Sequence, residues 1–227
     1  MSNMLGDIVI LKEGSNPTMD NADAPYAIEF YKNMDFLGPW ENYTRFIKKC
    51  EYLVRTSPYY KRYVAYIKGT VGLNKCQVLS NIEEEDAGDS KADHLIDMHH
   101  GPMLTLFDYC SVVTDYLLYH NLKCNTFIVA DLVIKAHQEN MVQVIMVSET
   151  VHDAIHSPNG PFINMNQGFG DVYKFLKKYK DGISGDLAYK INRYYETSLK
   201  YDSFDKNLFE INQFVQHETS EFSFVQD

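Results

Sequence analysis

At 227 residues, with 45% hydrophobic and 23% charged side chains, the chain has the composition of a folded globular protein and is no disordered tail. A chain of this length buries enough surface to hold a core without disulfides or a structural metal, so any metal site would serve chemistry rather than bulk stability. The formal charge of −10, from 21 Lys+Arg against 31 Asp+Glu, excludes a uniformly positive coat for nucleic acid but leaves room for a local basic groove.

In chain order, residues 1–38 are polar and punctuated by Asn16-Pro17 and Ala24-Pro25, with a short apolar stretch at Ile8–Leu11, and read as an N-terminal arm. From Trp40 the apolar positions Tyr43, Phe46, Ile47, Cys50, Leu53 and Val54 recur at helical spacing until Ser57-Pro58 stops them, and a second helical piece covers Tyr59–Lys68. Cys76–Ile82 reads as a strand, Glu83–Asp86 as a solvated acidic turn, and His94–His100 as a short strand stopped by Gly101-Pro102. Leu104–Tyr119 and Thr126–His137 are amphipathic helices. Val142–Val147 is the most strand-like stretch in the chain, and Ser148 caps a helix through His156. Helices over Gly170–Lys180 and Ser184–Asp202 precede an acidic tail, 203–227. The expected fold is α+β: one domain over 39–202, mostly helical around a small two-strand-and-helix element at 94–160, with a long helical insertion between its strands.

Cys50, Cys76, Cys110 and Cys124 form no CxxC pair, so reduced, buried thiols are expected. The N-terminus lacks the basic flank of a secretory signal, and no apolar run approaches the roughly 18–20 residues of a membrane span. A cytoplasmic protein is expected.

Histidines crowd the stretch from His94 to His156, and four of them form two tight pairs, His99/His100 and His152/His156. Residues four apart on a helix project from the same face, so His152 and His156 can share one cation. Successive strand residues point to opposite faces, which lets one of His99 and His100 bind metal while the other faces elsewhere. Taken singly, each histidine is more economically a core or surface residue. His120 and His137 end helices, where an imidazolium suits the dipole, and His94 either supports a ligand from behind or has no part in the site, the second being the more economical reading. Asp97 shares a strand face with His99 and either orients it or stands in solvent.

The segments IDMHHGP (Ile96–Pro102) and QVIMVSETVHDAIH (Gln143–His156) resemble the HNH endonuclease family, the ββα-metal or His-Me finger fold, over about a quarter of the chain. The family's His-His pair, its Asn nine residues before a helical His, and a further ligand about four residues on correspond here to His99/His100, Gln143, His152 and His156. The resemblance implies a DNA endonuclease that holds one divalent ion (Mg²⁺, Mn²⁺, Ni²⁺ or Zn²⁺) through His99, His152 and His156, with His100 as general base. Gln143 would take the place of the family's Asn beside the site. Gln143 departs from the family pattern, as does the length of the insertion from Gly101 to Val142, although loop closure grows costly only slowly with length. The chain also resembles bacteriophage proteins that carry this motif, which implies residence in the host cytoplasm.

Other readings share these residues. His152-Asp153-Ala154-Ile155-His156 is similar to the zincin helix H-E-x-x-H with Asp in place of Glu, and His152-Asp153 to HD-type phosphohydrolases, whose all-helical fold conflicts with the preceding strand. A catalytically silent nucleic-acid-binding scaffold is the alternative of a different class. From Glu41 to Lys75 eight bases face two acids, a local net charge of +6, interleaved with tyrosines. Lys48, Lys49, Arg55, Lys61 and Arg62 are the candidate DNA contacts, against the equal alternative of an amphipathic helix pair with solvated bases.

Overall fold

The computed structural model describes residues 39–79, 95–157 and 160–200. The expected arm at 1–38, the tail at 203–227, the acidic run Glu83–Asp86 and His94 lie outside the described residues. The elements are α1 (Trp40–Thr56), α2 (Pro58–Gly69), β1 (Ile96–His100), α3 (Leu106–Tyr119), α4 (Thr126–Gln138), β2 (Val144–Ser148), α5 (Glu149–His156), α6 (Val172–Lys178) and α7 (Gly185–Lys200), with 3₁₀ turns at Met165–Gln167 and Lys180–Gly182. Among the described residues helices dominate a small two-stranded antiparallel sheet, the α+β class expected. Among the described residues no helix is long and apolar enough to cross a membrane.

Local chemistry sets most boundaries. Pro58 ends α1 and occupies the first turn of α2, where its missing N–H costs nothing, and Ser57 Oγ accepts from the Tyr59 amide at 3.1 Å. Thr105 and Asp108 close a reciprocal capping box on α3, and Asn125 Oδ1 caps α4 by accepting from Ile128 N at 2.8 Å. α1 buries Tyr43, Phe46, Ile47, Cys50 and Val54, the face its spacing marks, against α3 and α4. α4 also touches α2 and α3, so it buries residues all round, including Asp131, which Lys135 pairs at 2.9 Å. All four cysteines are free and buried.

The insertion between the strands folds into α3 and α4 and returns the chain so that β2 runs antiparallel to β1, in register from Ile96↔Ser148 to His100↔Val144. Every residue of β2 is buried. Its second edge needs partners, and two side pieces supply them. Val144 and Phe169 exchange both backbone bonds, at 2.8 and 2.7 Å. Gln77 donates its amide to Met146 O at 2.8 Å, and its Oε1 accepts from Met146 N at 2.6 Å. The strand expected at Cys76–Ile82 is therefore absent over its described part: Cys76 Sγ accepts from Leu79 N and closes a turn. One glutamine side chain takes the place of a neighbouring strand, which an apolar pattern cannot announce.

Candidate metal centre

Strand alternation divides β1 into two faces. Ile96, Met98 and His100 point one way, Asp97 and His99 the other, and α5 packs against both strands. Because α5 begins directly after β2, Val151 and Ile155 hold it to the core, and His152 and His156 project beside His99. The rings form a near-equilateral triangle, with centroids 5.1 Å apart from His99 to His152, 5.1 Å from His99 to His156 and 4.8 Å between His152 and His156. One nitrogen from each lies within 4.8 Å of the others. Three ligands at about 2.1 Å on a tetrahedral ion would stand roughly 3.4 Å apart, a difference that side-chain rotation can take up. Gly101 adjoins this site with φ +151°, and a Cβ there would lie 3.3 Å from His99 Nε2. Glycine thus leaves the ring edge uncovered.

The donor set fits a metal of borderline softness. Burial, and then the charges of His152 and His156, hold the His99 pKa down to about 4, so its nitrogen lone pair is free at neutral pH. Three imidazole nitrogens suit Zn²⁺, Ni²⁺, Cu²⁺ or Fe²⁺, and without a carboxylate among them they suit Mg²⁺ poorly. Three protein ligands also leave a coordination position open, the pattern of catalytic rather than structural sites.

His100 stands apart from this cluster. It is 4% exposed, on the sheet face that meets the helices, and its Nε2 lies 3.0 Å from His137 Nε2. His137 Nδ1 lies 2.7 Å from the Val133 carbonyl and so must carry a proton. A neutral His137 then accepts at Nε2, and His100 donates. Tyr60 stacks on the His100 ring at 5.9 Å, while Tyr60 and Tyr63 meet His137 edge-on at 5.4 and 5.2 Å. Burial pushes the pKa of both histidines down, that of His137 to about 4. The expected placement of His100 as an accessible base is therefore corrected. Its Nε2 proton is committed to His137, and its Nδ1 is enclosed without a partner among the described residues.

Gln143 is likewise structural in its placement. It is fully buried, its amide donates to Tyr109 Oη at 2.8 Å, and its Nε2 donates to Met165 O at 2.8 Å. Its side chain fills the space beside Gly168, where a Cβ would come within 2.5 Å of it. It ties β2 to the 3₁₀ turn and does not join the triangle. His137, expected to cap a helix end as an imidazolium, lies uncharged in the core near the end of α4; its spacing from Val133 and Ile134 on the apolar face of α4 was the signal. His120 does cap α3 and pairs with Asp181 at 3.0 Å.

Lys48, Lys49, Arg55, Lys61 and Arg62 are all exposed. Lys49 lies 4.7 Å over the Tyr52 ring and Arg62 5.5 Å over Tyr59, whereas Tyr43, Tyr60 and Tyr63 belong to the core. Arg55 is distinct, because its charge acts on both His99 and His100. Asp97 is exposed on the His99 face of β1.

Compared with known proteins, residues 3–221 match the model of a family described as bacteriophage G278-like virion protein, which is not the HNH endonuclease family that the sequence resembles. No curated protein and no solved structure matches.

Proposed function

The chain belongs to the bacteriophage G278-like virion protein family, and from that premise we propose a virion protein that binds one divalent metal ion through His99, His152 and His156 and hydrolyses DNA phosphodiester bonds beside it. The observation that carries the reading is the convergence of three imidazoles from a strand end and a helix, in a strand–strand–helix arrangement, with one side open. The ion would supply Lewis-acid polarisation of the phosphate and stabilisation of the leaving oxygen. Lys48, Lys49, Arg55, Lys61 and Arg62, exposed on α1 and α2, would bind the phosphate backbone. Asp97, exposed on the same strand face as His99, is the group placed to take a proton there, since His100 is enclosed.

A second reading has its own support: the enclosure of His100 and Gln143 suits a metal-binding scaffold without catalysis. Nicking of supercoiled plasmid by the full chain with Zn²⁺, Ni²⁺ or Mn²⁺, alongside calorimetric metal binding, separates the two. Nicking that is lost in His152→Ala and reduced in Asp97→Asn supports the nuclease; tight metal binding with no nicking supports the scaffold. The absence of saturable binding would refute both.

A further inference from the structure

On the other side of α3 from the sheet, a groove of about 720 Å³ opens between the start of α1, α3 and the start of α7. Its size falls within the range of small-molecule sites, and its walls are largely apolar, with Phe107, Leu118, Ile183 and Leu187 among them. Among the described residues four carboxylates line it, Asp108, Asp115, Asp181 and Asp186, against the single ammonium of Lys190. Lys190 bonds Asp108 at 2.6 Å and His120 bonds Asp181 at 3.0 Å, so two of the four carboxylates already have side-chain partners.

Asp115 differs from these. It is half-buried on α3, and Tyr43 Oη donates to its Oδ1 at 2.9 Å. No cation among the described residues pairs with it, and burial raises its pKa to about 6. One turn earlier on the same face, Ser111 Oγ is buried without a hydrogen-bond partner among the described residues. Asp115, Ser111 and Tyr43 thus gather oxygens on one wall, two of them with unused accepting capacity. Beside them Trp40 stacks on Tyr43 at 5.8 Å and is 69% exposed, and Tyr119 is 68% exposed. Aromatic faces next to an unpaired carboxylate attract an organic cation, and a primary ammonium brings three donors to such oxygens.

We infer that this groove binds a linear aliphatic polyamine, with one ammonium held by Asp115 and Ser111 and the methylene chain lying along Phe107, Leu118 and Leu187. The excess of carboxylates over Lys190 matches a ligand of more than one positive charge, and charges separated by methylenes match carboxylates separated by apolar wall. A metal ion would leave those walls unused, and the acidic segments at 1–38 and 203–227 carry the wrong sign.

Trp40 is the chain's single tryptophan, so its fluorescence reports the groove directly. Spermidine and cadaverine, titrated into the full chain at constant ionic strength, should change that fluorescence saturably. Asp115→Asn should weaken binding by about tenfold or more and Ser111→Ala by several-fold, with His152→Ala unchanged and circular dichroism showing each variant folded. The inference is overturned by a response that Mg²⁺ or ethylammonium reproduces at equal ionic strength, by equal affinity in Asp115→Asn, or by tighter binding of N-acetyl-lysine amide than of spermidine. Because no metal is added, failure here leaves the nuclease reading untouched.

Discussion

Two groups of histidines lie back to back on one small sheet. His99, His152 and His156 meet on the α5 side, half-buried or exposed, with no hydrogen bond to their nitrogens among the described residues. His100 and His137 meet on the other side, sealed under Tyr60 and Tyr63 and joined to each other and to Val133 O. Adjacent residues of one strand, identical in chemistry, thus take opposite parts. Solvent access leaves the first set free to bind a ligand, and burial obliges the second to satisfy itself. A histidine motif identifies ligands only when the face on which each ring emerges is known.

The sharpest way to break this comparison is to delete one member from each side. His152→Ala or His156→Ala should weaken Zn²⁺ or Ni²⁺ binding about 1000-fold, some 4 kcal/mol, while leaving the metal-free melting temperature nearly unchanged, as calorimetry and thermal melts would show. His137→Ala should do the reverse. It opens a cavity and orphans the His100 donor, so chemical denaturation should show a loss of about 3 kcal/mol with metal affinity unaltered. A folded, stable His137→Ala protein that no longer binds metal would end the separation of the two sets.

Acidification tests the buried set as a unit. The His137 pKa is about 4 in the fold against an ordinary value near 6.5, so below 6.5 the unfolded chain takes up a proton that the folded one refuses. The stability this histidine contributes is complete above pH 6.5 and drains away as the pH falls toward 4. His137 alone should lose about 1 kcal/mol between pH 7 and 5.5, and His100 shifts in the same direction. Urea melts of the native chain should show that slope, and melts of His137→Ala a shallower one.

The smallest expected effect concerns Gln143. Gln143→Asn restores the residue that the HNH resemblance calls for, yet the shorter side chain loses its reach to Met165 O. A loss of about 1 kcal/mol of stability is expected, with no gain in metal affinity or nicking. A gain in either would place this position at the metal site after all.

Much of the fold was legible because it rests on local chemistry. The α1 stripe, the Ser57-Pro58 break and the β-branched run of β2 each carry their signal within a few residues, whereas Ser148 stands at the N-cap position of α5 without the expected side-chain cap bond. The pairing of His99 with His152 and His156 was legible through spacing and resemblance. Gln77 taking the place of a strand was not, because its partner Met146 lies far along the chain and no periodicity records a side chain bonded to a distant backbone.

The sequence by itself determined the residue types, their alternation along β1 and the four-residue step on α5, which together bring three imidazoles to one side of the sheet. Only the tertiary structure decided which face of that sheet would be covered. Once α3 and α4 fold back from the insertion, the His100 side becomes the core and the His99 side stays open. Burial is a property of neighbours distant in sequence, and it separated a candidate ligand from a structural histidine one residue away.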